Sequence, residues 1–143
     1  MSRQKVMFAH KLPFRTTLSV RVSDLNYGGH LGNDAILGMI QEARIQLLNQ
    51  FTYTETNLDG VSLIMTDVHI NYLGEAFLGD NLEFRLGTSD VKDRSFDMLI
   101  EIHRLADAKI IAKARTSFTA FDYTKHSKSR FSEAVQKKLI NLK

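Results

Sequence analysis

Apolar and polar residues change their spacing twice along this chain, and each change predicts a different element. From Phe14 to Val22 the alternation has period two. Phe14, Leu18, Val20 and Val22 face one way and Arg15, Thr17, Ser19 and Arg21 the other, as in a strand with one buried face. A polar turn containing glycine follows, from Asp24 to Gly32. The spacing then becomes helical, with Ile36, Ile40, Ala43, Leu47 and Phe51 at steps of four, three, four and four. Leu37, Met39 and Leu48 widen the stripe until the helix is apolar over most of its circumference. Such a helix is expected to be buried on several sides. Asn33 or Asp34 is placed to cap its start.

From Val61 to Phe121 the chain reads as strands. Leu63 and Met65 alternate in one phase and Val68, Ile70 and Tyr72 in the other, which predicts a bulge near Thr66 and Asp67. Leu82, Phe84 and Leu86 alternate, as do Phe96, Met98, Ile100 and Ile102, and then Ala112, Ala114, Thr116, Phe118 and Ala120. Turn residues separate these runs at Gly79-Asp80, around Lys92-Asp93 and at Asp107. A last amphipathic helix is expected from about Ser132 to Leu142, with Val135, Leu139 and Leu142 on one side. One strand, one long apolar helix and four strands in succession predict an antiparallel sheet covering that helix, an α+β layer. No stretch rich in Gly, Ser or Pro divides the chain, so a single domain over 1–143 is expected. Its core spans about 14–122, and a basic C-terminal tail or helix spans 125–143.

Composition narrows the chemistry. The 143 residues suffice for one core. Absence of cysteine excludes thiolate nucleophiles, disulfides and Cys-based zinc sites. No apolar run approaches the roughly 20 residues of a membrane span, and Met1 to Pro13 alternates charged with apolar residues. The expected setting is therefore soluble and cytoplasmic, with no signal peptide. The net charge is +3, but Lys125 to Lys143 holds six Lys/Arg against one acid. The remaining 124 residues hold 13 Lys/Arg against 15 Asp/Glu. The basicity belongs to the tail, which is either a solvated helix or a contact for phosphates. With the aromatic residues scattered through strand patterns, no nucleic-acid partner is expected. His10, His69, His103 and His126 show no metal-ligand spacing, so no metal is expected. Neither a Gly-x-Ser-x-Gly elbow nor a glycine-rich nucleotide loop occurs.

The informative segment is Val22 to Arg44, VSDLNYGGHLGNDAILGMIQEAR. Gly28-Gly29 permits close backbone approach, and the helix begins near Asn33 with unpaired N–H groups and a positive dipole end at the same turn. Those features fit an oxyanion site for a carbonyl under attack; a plain glycine turn with a helix cap is the other reading.

The same stretch resembles the 4-hydroxybenzoyl-CoA thioesterase-like branch of the hotdog superfamily. The matching residues are Asp24, Gly29, His30, Asn33 and Glu42-Ala43-Arg44. Tyr72 and Gly79-Asp80 resemble a later turn of that family, with Glu75 where proline is common. The likeness covers roughly residues 14–122 and implies the hotdog fold, an antiparallel sheet wrapped around a long central helix. It implies hydrolysis of acyl-CoA thioesters, with coenzyme A part of the substrate and no other cofactor. It also implies self-association as a dimer or tetramer, with a neighbouring subunit completing the site.

One departure matters. The family's catalytic Asp lies four residues before the histidine, where this chain has Asn26. Asn cannot act as a base at neutral pH, although it can orient water or bond the carbonyl. Proton transfer is therefore assigned to His30, with Asp24 orienting or charge-stabilising the imidazole. Gly29 and the backbone N–H near Asn33 are the expected substrate contacts. Glu42 lies about 13 Å along the helix from Asn33, too far for the same chemistry, and an ion pair with a basic neighbour is expected for it. Two other readings remain open. One is an acyl-binding hotdog protein without catalysis; the other is a hotdog enoyl-CoA hydratase, suggested by Asp24-x-Asn26 followed by His30.

Overall fold

A computed structural model describes residues 11–142; His10, most of the Met1–Pro13 segment and Lys143 lie outside them. The long elements are β1 (Phe14–Ser19), α1 (Asn33–Asn49), β2 (Ser62–Tyr72), β3 (Asn81–Ser89), β4 (Ser95–Arg104) and β5 (Ile110–Asp122). A two-residue β6 (Ser127–Lys128) and α2 (Glu133–Ile140) end the described chain, and a single 3-10 turn (Val22–Asp24) precedes α1. The sheet runs β1-β3-β4-β5-β2 with β6 on β5, and every pairing is antiparallel. The expected α+β hotdog arrangement is the one observed.

Burial follows the predicted alternation. Ile36, Ile40, Ala43 and Leu47 of α1 are buried, and they share one core with Phe84, Met98, Ile100, Ala112 and Ala114 of the sheet. β5 contributes Ala112, Ala114 and Ala120 to that core, all fully buried. Met39 and Leu48 are buried too, but Leu37 is 40% exposed. The helix is thus covered on several sides and left open along one stripe.

The expected bulge is present, as a register shift between Met65 and Asp67 in the β2–β5 pairing. A second irregularity, between Ile102 and His103 opposite β5, had no signal in the alternation. β1 is shorter than expected. Val20 still pairs, donating to Asp80 O and accepting from Gly79 N (each 2.9 Å). Arg21 and Asp24 then fold the chain into the 3-10 turn, and Val22 is turned outward, 71% exposed. α2 is capped by Ser132, whose Oγ accepts from Val135 N at 3.2 Å, and it buries Val135 and Leu139. No helix among the described residues is long and apolar enough to cross a membrane. β1 and β2 are the sheet's edges, and β2, 11 residues long, pairs along one side only.

Candidate active site

The Asp24–Gly32 segment is a tight turn held by its own amides. Leu25 and Leu31 form an antiparallel bridge. Asn26 N donates to His30 O (2.9 Å), Gly29 N to Asn26 O (3.1 Å), and Gly32 N to Asp24 O (2.9 Å). Asn26 Oδ1 accepts from Gly28 N at 2.8 Å and from His30 N at 3.4 Å, the Asx geometry that short amide side chains adopt in turns. Gly29 has φ +81°, the left-handed region that favours glycine, and open space lies where its side chain would stand.

Two contacts fix this turn to the rest of the fold. Leu31 N donates to Ala76 O at 2.8 Å, and His30 bridges Phe77 on the connection between β2 and β3. The imidazole packs edge-on to the Phe77 ring, with centroids 6.4 Å apart. That connection is itself braced. Phe77 N donates to Asp80 Oδ2 (2.9 Å), Gly79 takes φ +83°, and Arg104 Nη1 reaches Glu75 O (2.7 Å) and Asp80 Oδ2 (3.4 Å). Gly79-Asp80 therefore shapes the shelf beneath His30.

His30 and Asn26 come together. A side chain at Gly28 would have its first carbon 3.1 Å from His30 Nε2 and 3.2 Å from Asn26 Oδ1, so both side chains overlook that glycine. The imidazole nitrogens have no hydrogen-bond partner among the described residues. Asp24 is buried and does not reach His30. Its oxygens accept from Arg21 instead, from the backbone N at 2.8 Å and from Nε and Nη2 at 3.3 Å each. Burial works against the charged carboxylate, but these hydrogen bonds and the Arg21 charge outweigh it and hold Asp24 below the usual carboxylate range.

The start of α1 differs from expectation. Gly32 is the N-cap, with no side chain closing it, and Asn33 is the first helical residue. The amides of Asn33 and Asp34 have no acceptor among the described residues, while those of Ala35 and Ile36 bond Gly32 O. Tyr72 Oη donates to Asn33 O at 3.2 Å, so the end of β2 steadies the helix start.

Two grooves flank the exposed stripe of α1. One, of about 650 Å³, is lined by Arg21, Asp24, Asp34 and Glu42. Glu42 accepts from Gln46 Nε2 at 3.0 Å and not from the expected cationic partner; Arg21 feels its charge only through space. The other, of about 330 Å³, lies between α1 and β2 and is mostly apolar. Among the described residues no cluster of His, Asp and Glu is placed to hold a metal ion.

An antiparallel sheet around one helix, with a glycine–histidine turn at that helix's open end, defines a thioesterase-like hotdog domain. The family profile of the thioesterase-like superfamily matches residues 20–139, and the chain belongs to that superfamily. Among curated proteins no significant sequence match is found. Of solved structures, the fold is similar to Slr0204, a 1,4-dihydroxy-2-naphthoyl-CoA thioesterase from Synechocystis. The two share 20% identity over 89% of this chain and 94% of that one, with a TM-score of 0.79. It is also similar to YbaW, a probable thioesterase from Escherichia coli, at 20% identity over 93% and 98% and a TM-score of 0.75. A thioesterase superfamily structure from Jannaschia sp. CCS1 matches at 22% identity over 90% and 81%, with a TM-score of 0.79.

Proposed function

We propose that this protein hydrolyses acyl-CoA thioesters to the free acid and coenzyme A. The observation that carries the proposal is the meeting of His30 and Asn26 over Gly28, beside a helix start whose first two amides lack acceptors. In this reading the thioester carbonyl lies against the amides of Asn33 and Asp34. There the helix dipole favours the charge that develops on its oxygen. Gly29, open on its outer side, lets the thioester approach the turn. His30 takes a proton from a water held by Asn26 as the water oxygen bonds the carbonyl carbon. Collapse of the tetrahedral adduct breaks the C–S bond, and the imidazolium returns its proton to the departing thiolate. Asp24 then acts through Arg21, by holding the strand end from which the turn springs.

The choice of coenzyme A rests on superfamily membership and on the named substrate of the Synechocystis relative. The groove on the Asp24 side carries three carboxylates against one arginine and would repel an anionic ligand. The acyl group is therefore assigned to the apolar groove between α1 and β2. Phosphates are assigned to basic residues such as Lys113, Arg115 and the lysines of the tail. The free edge of β2 supports self-association as a dimer or tetramer, with the neighbour completing the site. The reaction needs no metal or organic cofactor and suits a cytoplasmic setting. Release of free thiol from a panel of acyl-CoAs tests the proposal: turnover supports it, and tight binding without turnover, or hydration of an enoyl-CoA alone, refutes it.

A further inference from the structure

Arg44 is 3% exposed although it carries a full charge. Its Nε donates to Glu55 Oε2 at 2.9 Å, and its guanidinium carbon lies 4.8 Å from the centre of the Phe118 ring. Gln41 Nε2 holds the other oxygen of Glu55 at 3.0 Å. Among buried side-chain nitrogens and oxygens of the described residues, Arg44 Nη1 alone has no hydrogen-bond partner. A buried guanidinium N–H without an acceptor is costly, and native chains rarely keep one that nothing completes.

Arg44 belongs to the lining of the apolar groove, beside Phe118, Leu63 and Gly38. The exposed large apolar side chains of that lining are Leu37 and Met65, at 40% and 39%. Asn33, Leu37, Gln41 and Arg44 follow at steps of four, four and three, so one stripe of α1 joins the helix start to this guanidinium. The stripe is about 16 Å long by helical rise, and the arginine side chain leans back toward the N-terminus.

We infer that Arg44 is a specificity-determining residue whose free Nη1–H donates to an oxygen near the distal end of an acyl group lying in this groove. The inference rests on the thioester reading above and deepens it. An acyl group anchored by its carbonyl at Asn33 meets Nη1 only after passing Leu37 and Gln41, so a short acyl chain or a single ring stops before it. A neutral hydroxyl or keto oxygen suits the position better than a carboxylate. Glu55 already balances the guanidinium, and a second anion would be desolvated in an apolar groove without a charge of its own to meet.

The test uses the full chain and two non-hydrolysable thioether analogues of a medium-chain acyl-CoA, differing only in a distal hydroxyl. Calorimetric titration of the wild type is expected to show roughly tenfold tighter binding of the hydroxylated analogue, the effect of one hydrogen bond to a charged donor. In the double variant Arg44→Met/Glu55→Gln, which leaves neither charge stranded, the ratio should fall to about one. Because each ratio is internal to one protein, a general loss of stability does not imitate it. A ratio near one in the wild type, or the same preference in both proteins, overturns the inference. So does a change in oligomer size on gel filtration with the ratio unmoved, which would give the acceptor to a second copy of the chain. Thiol release from the matching thioesters separates the two claims. Preference in binding without release keeps Arg44's role and refutes hydrolysis, whereas release without preference refutes Arg44's role alone. Binding of neither analogue overturns both.

Discussion

Replacing Gly28 by alanine should weaken the site while leaving the fold nearly untouched. The new methyl would stand 3.1 Å from His30 Nε2 and 3.2 Å from Asn26 Oδ1, where ordinary contact begins at 3.4 Å. The imidazole must therefore retreat by about 0.3 Å and the amide by about 0.2 Å, and the methyl occupies the space both overlook. Misplacement of about 1 Å in a reacting pair can cost ~10²-fold, so a few tenths with the added obstruction predicts a fall in kcat/KM of roughly tenfold. Stability should move little. Gly28 is exposed and its φ is not positive, so alanine fits the backbone. It would gain about 0.4–1 kcal/mol through the unfolded chain, against a similar strain from the crowded side chains. Urea melts and a thiol-release assay on the same preparation measure the two quantities. Undiminished kcat/KM in Gly28→Ala would refute the role given to His30 and Asn26 together. A loss of several kcal/mol would show instead that the turn is merely structural.

His30→Ala should lower kcat at least ~100-fold with little change in Tm, since the half-buried ring has Phe77 as its main partner; full hydrolysis by this variant removes His30 as the base. Asn26→Asp keeps an oxygen for the Gly28 and His30 amides and adds a carboxylate, so thiol release should rise several-fold near neutral pH; a drop would count against a water held there. Asp24→Asn tests the Arg21 clamp through stability. The folded carboxyl lies below its unfolded value of ~3.9, so the ionised form stabilises the fold above that pH. The contribution is lost as pH falls through the lower, folded value. Because Arg21 is mostly exposed, the variant should be less stable by only about 1 kcal/mol at pH 7. Melts at pH 7 and at successively lower pH should show the gap closing; a gap independent of pH would contradict the ionic account.

The α1 stripe and the strand alternation were legible because burial on one face repeats at the period of the element. Even the bulge at Met65/Asp67 announced itself as a change of phase. What escaped was set by contacts between distant segments. Nothing in the spacing around His30 reveals that Phe77 and Ala76 hold it, because that pairing joins segments more than 40 residues apart. Asp24 was legible as a member of the site, but its partner was not, although Arg21 three residues earlier in a short polar turn is a usable cue. Val22 misled for the same reason, since the Arg21–Asp24 contact bends the chain before the alternation has run out. Arg44 was visible only as part of a motif, and the buried Ile40 and Leu48, four residues to either side, were the signal that could have marked it as inward.

The single-rung ladder between His30 and Phe77 makes the imidazole a tenant of the link from β2 to β3. Lengthening or shortening the link from β2 to β3 would slide the ring along the helix mouth while altering neither residue. Relatives that differ there by one position would then hold the same histidine over a different atom of whatever is bound.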